Sequence, residues 1–585
     1  MLKKFFISML GTIAGFWISI IIAFFAIAGI IGALVASTAD TKTEVKDESV
    51  LYLDLSGEIP ERAQTADIWQ LIQQEELGGE ALDDILASIR LAAKDKKIKG
   101  IYINAQGASS GPASREEIVE ALGQFRASGK WIYAYGDSYS QGDYLLATLA
   151  DSIFLNPMGS VDVRGVATQT PFFTGLLDKL GVKMNIVRVG TFKSAVEPYF
   201  AKEMSPASRL QTQVMIDSIW GYITSTMASA RQLPQSTFNG WADSIMATWT
   251  SQQTLDARAV TSLKYRRQAE AALRAALELD DDDDLPLVSP SEYMSARKSP
   301  SSDKDHIAVY YAVGDIVDSG EGGIVGDVVV DDIISLADDN HVKAMLLRVN
   351  SPGGSAFASE QIWEALQYFK SKGKPLYVSM GDYAASGGYY ISCGADRIFA
   401  DHTTLTGSIG VFGLIPDFSG LATDKLGVTF ATVQTNPNAA FPSTLTGLTS
   451  QQLQALQRSV EQTYDQFTSR VATGRGLSQD SVKAIAEGRV WTGGAALQLG
   501  LVDEIGSLQT ALTALAEATD LEADKAVSYP DTEQELIDKL MLKVGKNVQL
   551  GSVSLDRRAI LTLSFLDRLQ RQNPIQARIQ PISFE

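Results

Sequence analysis

An internal repeat is the feature that most constrains how this chain can fold. A segment beginning at Trp131 reads WIYAYGDSYSQGDYLLATLADSIFLNPMGSVDVRGV, and one beginning at Leu376 reads LYVSMGDYAASGGYYISCGADRIFADHTTLTGSIGVFG. Flanking landmarks recur in the same order in both halves: IKGIYINAQG and VKAMLLRVNS upstream, FTGLLDKLGV and FSGLATDKLGV downstream, then a Trp-Thr pair. Shared order over several landmarks indicates a duplicated domain whose two copies fold on one plan.

Each half has the pattern of an α/β domain. Short apolar runs at 101–103, 345–349 and 376–380 predict buried strands, and helical patterns alternate with them. Ser205-Pro206 predicts a helix start, with Ser205 as the N-cap and proline at the first helical position. Apolar residues then recur about once per turn, at Leu210, Val214, Ile219, Tyr222 and Met227. Strands that alternate with helices predict a largely parallel sheet in each half.

Composition narrows the function. The 585 residues suit two domains of about 200–250 residues plus an anchor. A net charge of −19 argues against a nucleic-acid partner and is equally consistent with solubility. There is one cysteine, so no intramolecular disulfide can form, and there are only three histidines. The sequence also lacks the H-E-x-x-H motif of metalloproteases, so we expect no metal and no cofactor.

The N-terminus predicts a membrane anchor. No charged residue occurs from Phe5 to Ala36, a run longer than the roughly 20 apolar residues that span a bilayer. Lys3 and Lys4 precede it, which places the N-terminus in the cytoplasm by the positive-inside rule. The bulk of the chain would then lie across the inner membrane of a bacterium, on the periplasmic or extracytoplasmic side. The alternative is a signal peptide that is cleaved near Ala36-Ser37.

An acidic run separates the halves. Residues 278–284 carry mostly Asp and Glu, and this composition predicts a solvated loop in a linker. Calcium binding is a weaker alternative, since the run lacks the alternating ligands and the turn glycine of a calcium loop.

Two glycine-rich segments follow predicted strands in the second half. Asn350-Ser-Pro-Gly-Gly354 could present backbone N–H groups to a substrate oxygen, as an oxyanion hole does, or it could be an ordinary turn. In Tyr383-Ala-Ala-Ser-Gly-Gly-Tyr389, small residues flank Ser386, as a nucleophile on a tight strand-to-helix turn requires. A closely packed helix N-terminus would have the same composition.

A nucleophilic serine needs a base, and the repeat indicates which residue supplies it. His402 is close in sequence but lacks a suitably placed carboxylate, so a structural role is favoured for it. Ser386 aligns with Gln141, so the first half lacks the serine, whereas Lys193 aligns near Ala439, so the second half lacks the lysine. This complementary loss predicts an active site shared between the halves, with Lys193 neutralised by burial. Without the repeat, Lys193 would be interpreted as a surface lysine.

These segments together resemble the signal peptide peptidase A family, also called protease IV, in its long, duplicated form. The matching stretches are TFKSAVEP, LRVNSPGGS, MGDYAASGGYYIS, TLTGSIGVFG and GRVWTGGAALQLGLVDEIG. The resemblance implies a Ser-Lys dyad with Ser386 as nucleophile and Lys193 as general base. It also implies an oxyanion hole from the backbone N–H groups of Gly353 and Ser386. Ser194 is a further candidate, as a residue that hydrogen-bonds and orients Lys193.

The resemblance also implies an architecture. We expect a membrane anchor at 1–45, a ClpP/crotonase-like domain with the lysine at 46–278, and an acidic linker at 279–305. A second such domain with the serine follows at 306–528, and a C-terminal extension occupies 529–585. The family forms a dome-like homotetramer and degrades cleaved signal peptides, which suits an apolar binding pocket. Cys393 near the serine is expected to be a small buried residue, with thiol sensitivity as the alternative.

Two other functions remain open from the sequence. A crotonase-type acyl-CoA enzyme would share the glycine-rich loops but would not need Ser386 or Lys193. A non-catalytic membrane-anchored ring scaffold would need neither residue and would cleave nothing.

Overall fold

The computed structural model describes residues 45–63, 79–297, 305–320, 322–530 and 575–579. The apolar N-terminal run lies outside these residues, as does most of the C-terminal extension. Within the described ranges, no helix has both the length and the apolar character that crossing a membrane would require.

The first half alternates strands and helices, as the sequence predicts. Its strands are β1 (Ser49–Leu55), β2 (Ile98–Ala105), β3 (Trp131–Gly136), β4 (Ser152–Leu155), β5 (Lys183–Val189), β6 (Ser262–Leu263) and β7 (Leu287–Val288). Its helices are α1 (Leu82–Lys94), α2 (Pro112–Ala127), α3 (Gln141–Ala147), α4 (Thr174–Leu180), α5 (Pro206–Arg231), α6 (Gln235–Asp243), α7 (Ser251–Asp256), α8 (Arg266–Ala276) and α9 (Pro290–Ser295).

The second half repeats this alternation. Its strands are β8 (His306–Val313), β9 (Ile316–Val317), β10 (Ile324–Val325), β11 (Val342–Ser351), β12 (Gly353–Ser355), β13 (Leu376–Ala385), β14 (Arg397–Ala400), β15 (Leu405–Gly407), β16 (Val411–Asp417), β17 (Val490–Thr492), β18 (Glu504–Ile505), β19 (Ala526–Tyr529) and β20 (Ile575–Arg578). Its helices are α10 (Gly326–Asp338), α11 (Ala356–Ser371), α12 (Gly387–Ser392), α13 (Ser450–Arg475), α14 (Gln479–Ile485), α15 (Gly493–Gln498) and α16 (Leu508–Ala518).

Each half is built on its own parallel sheet. The first has the strand order β6-β4-β3-β2-β1-β7, and all its neighbours run parallel. The second has the order β17-β15-β13-β11-β8-β19 with β14 beside β13, and only the β15–β17 pair is antiparallel. The three apolar runs of the sequence are the buried strands β2, β11 and β13. The predicted tandem α/β architecture is therefore confirmed for the described residues.

A third sheet joins the two halves. Its order is β10-β9-β12-β20-β16-β5, so a first-half strand, β5, forms one end of it. β5 and β16 pair antiparallel from Lys183 with Asp417 to Val189 with Val411. β5 leads directly into the segment that carries Lys193, so this pairing brings that segment to the second half.

The segment between the halves differs from a simple linker. The acidic residues 281–284 are exposed, as expected for a solvated loop. Leu287 and Val288, however, pair with β1 as β7, and Tyr293 of α9 is buried in the first core. Residues 287–295 therefore belong structurally to the first half, because their apolar side chains complete its sheet and core.

Candidate active site

Ser386 lies at the junction of β13 and α12. Its backbone has φ 56° and ψ −111°, a conformation that non-glycine residues rarely adopt. Ala385 and Gly387 flank it, and the serine is fully buried. Such strain, of order 1–3 kcal/mol, persists where the surroundings enforce it and is found at functional sites. The tight strand-to-helix turn predicted from the small residues is thus present.

Lys193 reaches the second half on the loop after β5. Phe192 N–H donates to the carbonyl of Glu487 at 2.9 Å, which ties this loop to the segment before β17. A Cβ built on Gly488 would lie 2.6 Å from Cβ of Lys193, so only glycine fits there. Lys193 is 1% exposed, and the alternative of a surface lysine is therefore wrong.

The two predicted residues meet. Lys193 Nζ lies 2.8 Å from Ser386 Oγ, across 193 residues of sequence. The same Nζ donates to Ser408 O at 3.2 Å and to Ser408 Oγ at 3.1 Å. Ser408 was not singled out from the sequence, although it lies within the TLTGSIGVFG segment. Like Ser386 it has a positive φ, 48°, which marks a second enforced backbone position.

Burial sets the charge of the lysine. Removal from water lowers the pKa of Lys193 well below its usual value, because no carboxylate compensates for the desolvation of an ammonium. A neutral amine has two N–H bonds and one lone pair. Both N–H bonds can be satisfied by Ser408 O and Oγ, which leaves the lone pair for the hydroxyl of Ser386. The arrangement suits a base that takes a proton from serine.

The expectation that Ser194 orients the lysine is not supported. Its Oγ accepts a hydrogen bond from Gln211 Nε2 at 2.9 Å, on the side facing α5. Gln211 also donates to Phe192 O at 3.0 Å and accepts from Val490 N–H at 3.2 Å. Gln211 thus braces the lysine loop against β17, and Ser408 makes the contacts that had been expected of Ser194.

The expected oxyanion donors need correction as well. The N–H of Ser386 donates to Gly407 O at 2.8 Å. The positive φ of Ser386 points this N–H toward β15, which contains Gly407. The N–H of Gly353 donates to Ser351 Oγ at 3.1 Å. Both groups are therefore engaged within the chain. The next residues along, Gly354 and Gly387, approach each other instead, since a Cβ built on Gly387 would lie 3.1 Å from Gly354 N.

His402 and Cys393 have structural roles. His402 Nδ1 lies 2.7 Å from Glu116 Oε1, and the ring stacks on Tyr222. The hydrogen bond to Glu116 raises the pKa of His402. Cys393 is buried, and burial raises the pKa of its thiol to about 12, so it stays protonated and unreactive. The interpretation of Cys393 as a small core residue is confirmed.

The equivalent position in the first half holds no nucleophile. Gln141 begins α3 where Ser386 precedes α12, and both the oxygen and the nitrogen of its side-chain amide are hydrogen-bonded. Gln141 Oε1 accepts from the N–H groups of Arg164 and Gly165 at 3.0 and 2.9 Å, and Nε2 donates to Gly165 O at 3.1 Å.

Across the described ranges, no group of His, Cys, Asp or Glu could hold a metal ion.

A cavity beside Lys193 is walled by polar and apolar side chains in similar proportion. Residues from both halves line it, and its apolar lining includes Phe172, Phe192, Pro198, Met204 and Met215. These side chains were not identifiable from sequence, because they come from separate segments that meet only in the folded chain.

Comparison with known proteins agrees with a duplicated α/β fold. The model of peptidase family S49 matches residues 124–280 and 368–522, one stretch in each half, and a Clp protease model matches 323–404. Protease 4 of Haemophilus influenzae is 35% identical over 544 residues, which cover 88% of this chain and 87% of that protein. Protease 4 of Salmonella typhi is 36% identical and covers 86% and 83%. A chloroplastic serine protease of Arabidopsis thaliana is 26% identical, over 92% and 79%.

The chain is therefore a serine protease built from two α/β domains. It belongs to peptidase family S49, and the crotonase and scaffold alternatives are not supported.

Proposed function

We propose that Ser386 is the nucleophile and Lys193 the general base of this protease. The observation that carries the proposal is the 2.8 Å contact between Nζ and Oγ, made by two buried groups from different halves. A neutral lysine would accept the serine proton as Oγ attacks the peptide carbonyl. The resulting ammonium would protonate the departing amine, and water activated by the same lysine would hydrolyse the acyl-enzyme.

The developing oxyanion needs donors, and we assign them to the N–H groups of Gly354 and Gly387. Gly387 is the first residue of α12, where helix N–H groups lack intrahelical partners. Gly354 lies close to it across the site. Donors aimed at a developing oxyanion contribute about 3–4 kcal/mol each in measured cases.

For substrates we propose apolar peptides, and cleaved signal peptides in particular. The apolar side chains on one part of the cavity wall, among them Phe172, Phe192 and Met204, support this, since a signal peptide contains an apolar stretch of 7–15 residues. A protein of Enterococcus faecium whose name proposes it as a signal peptide peptidase is 39% identical over 194 residues, a third of this chain. We further propose a homotetramer held at the inner membrane by the N-terminal apolar run, with its catalytic part outside the cytoplasm.

The dyad is tested with Ser386→Ala and Lys193→Met in an assay of peptide cleavage. We expect kcat to fall by at least about 10³-fold in each, because nucleophile and base act as one unit. Lys179→Met, which removes an exposed lysine of the same half, is the matched control and should keep full activity. Retained cleavage in either dyad variant would contradict the assignment.

The lysine also predicts a pH profile. Cleavage should rise with pH as Lys193 loses its proton, with the rising limb below the ordinary lysine pKa of about 10.4 because burial lowers it. Measurement of kcat from pH 5 to 10 provides the test. A kcat that falls as the pH rises would exclude a lysine base.

A further inference from the structure

A second cavity lies in the first half, at the place that the active site occupies in the second. The loop after β2 and the start of α3 form part of its walls, as the loop after β11 and the start of α12 do around Ser386. Gln141 Nε2 donates to Gly165 O there, and Ser386 Oγ lies 3.5 Å from Gly410 O in the second half. Its volume of about 380 Å³ lies within the range of small-ligand pockets, about 300–1,000 Å³. The first half therefore has a pocket of ligand size where it has no nucleophile.

An arginine lies against the start of α3 in this cavity. A Cβ built on Gly142 would lie 2.4 Å from Cζ of Arg115 and 2.5 Å from its Nε, so the guanidinium packs directly on the helix start. The equivalent contact in the second half is with a serine, since a Cβ built on Gly387 would lie 2.8 Å from Ser359 Oγ. Gly387 is the residue to which we assign an oxyanion donor. The first half thus places a cation where the second half is proposed to bind a developing anion.

The charge of Arg115 is incompletely compensated. Its Nη2 donates to Ala108 O at 3.0 Å, and within the described part of the chain this is the one hydrogen bond made by a group with five N–H donors. Asp143 Oδ2 accepts from Gly107 N–H at 3.0 Å and Asp382 caps α2, so both nearby carboxylates have other partners. Burial lowers the pKa of Arg115, and the charges of Asp143 and Asp382 oppose only part of this decrease. A cation in such surroundings favours an anionic ligand.

The remaining walls of the cavity are uncharged, apart from one further arginine. Of the described residues that line it, two are arginines and none is acidic. The second, Arg164, is exposed and pairs with Asp162 at 3.1 Å, so its charge is already matched. Leu145, Ile219 and Ile223 supply apolar surface from α3 and α5. A ligand that matches these walls has a carboxylate at one end and apolar side chains beside it.

We propose that this cavity binds the C-terminal carboxylate of an apolar peptide, with Arg115 as the residue that contacts the carboxylate. The planar guanidinium of arginine can bind both carboxylate oxygens. Ser109 and Thr403 add hydroxyl groups to the walls, which suit a peptide backbone better than a hydrocarbon tail. The peptide class rests on the proposed function, since hydrolysis of each acyl-enzyme releases a fragment with a new α-carboxylate. The cavity therefore holds peptides by an end that every cleavage regenerates.

The test measures binding of a labelled peptide to the full chain carrying Ser386→Ala. The probe is a pentapeptide of alanine and leucine with fluorescein at its N-terminus and a free C-terminal carboxylate, and its C-terminal amide is the comparison. We expect the amide to bind at least about tenfold more weakly, because it lacks the charge-assisted hydrogen bonds. In the same background, Arg115→Met should weaken binding of the acid by a similar factor and leave the amide unaffected. Arg126→Met, which removes an exposed arginine of the same helix, is the matched control and should bind both peptides as before.

Ala167→Glu decides the question if Arg115→Met fails to fold. Ala167 is exposed and lines the cavity, so a carboxylate added there repels that of the peptide, and the acid should bind about three- to tenfold more weakly. Equal affinity for acid and amide, or unchanged binding of the acid in every folded variant at these two positions, would overturn the proposal. Displacement of the probe by laurate as effectively as by unlabelled peptide would overturn the peptide assignment. Residual cleavage by Ser386→Ala would count against the dyad alone.

Discussion

At the scale of single residues, the surroundings of Lys193 determine whether its amine is charged or neutral. Gly488 and Gly410 pack directly against its side chain, with built Cβ atoms at 2.6 Å from its Cβ and 3.3 Å from its Cδ. This enclosure removes water from the amine and lowers its pKa. A lysine of the same sequence context on an open loop would remain charged and could not accept a proton.

Ser408 is predicted to position the lysine. In Ser408→Ala the amine keeps Ser408 O but loses Oγ, so it is held by one acceptor in place of two. We expect kcat to fall about 10- to 100-fold with little change in KM, because the base is misaligned while the groove is intact. Steady-state kinetics provide the measurement.

Ser194→Ala is the comparison for this prediction, since Ser194 contacts Gln211 and makes no hydrogen bond with Nζ among the contacts of the described residues. Its effect should be clearly smaller than that of Ser408→Ala. Equal losses in the two variants would indicate that Ser408 has no special role.

At the scale of elements, one helix terminus connects the halves. Helix α2 begins after Gly111, which has no side chain to cap it. Asp382 of the second half caps it instead, accepting from Ala113 N–H at 2.9 Å, Ser114 N–H at 3.0 Å and Ser114 Oγ at 2.6 Å. A Cβ on Gly111 would lie 2.0 Å from Cγ of Asp382, so the close approach requires glycine. Asp382 lies on the same strand, β13, that leads to Ser386.

Asp382→Ala should therefore affect stability and activity together. Loss of the cap should cost about 1–2 kcal/mol of unfolding free energy, and the strand before Ser386 should lose its anchor, so kcat should fall. Ser507→Ala removes the N-cap of α16 within one half and is the matched control. It should cost similar stability at unchanged kcat. Full activity in Asp382→Ala would show that the cap does not position the nucleophile. Chemical denaturation and kinetics measure both effects.

At the scale of the molecule, a buried ionic cluster joins the halves. Arg348 of β11 is fully buried and pairs with two carboxylates from the first half, Glu61 at 2.9 Å and Glu117 at 2.7 Å. Asp401 is a further buried carboxyl near Glu117. Burial raises the pKa of both acids, the charge of nearby carboxylates raises it further, and the charge of Arg348 opposes the increase. The interface between the two halves therefore contains buried charges, and each charged group relies on its partners to offset the cost of its burial.

Removing one partner of this cluster should be costly. Arg348→Met leaves Glu117 and Glu61 buried without their cation, which typically costs about 3–5 kcal/mol. Arg397→Met, which breaks a half-exposed pair with Glu504, is the control and should cost at most about 1 kcal/mol. Thermal unfolding measures the difference. Equal shifts in Tm would mean that the cluster contributes no more than a surface pair.

The sequence by itself determined the duplicated α/β plan, the strands β2, β11 and β13, and the helix start at Ser205, and it indicated that Ser386 and Lys193 would meet. These follow from local patterns and from comparing the two copies, in which each lacks what the other has. The apolar spacing along α5 was less informative. Leu210 and Val214 are 52% and 46% exposed, whereas Met215, Ile219 and Met227 are buried. A helix buries the face that its neighbours cover, and a loose apolar period does not identify that face.

Only the tertiary structure decided the rest. Ser408, Gln211 and the direction of each backbone N–H depend on segments that are far apart in sequence and meet at the junction of the halves. The φ of Ser386 points its own N–H toward Gly407 O, which is why we propose Gly354 and Gly387 as oxyanion donors in place of Gly353 and Ser386. Hydrogen-bond direction is set by backbone torsion and contact, and a sequence pattern records neither. The pairing of Ser386 with Lys193 was therefore visible in the repeat, while the environment that supports the proposed dyad was visible only in the fold.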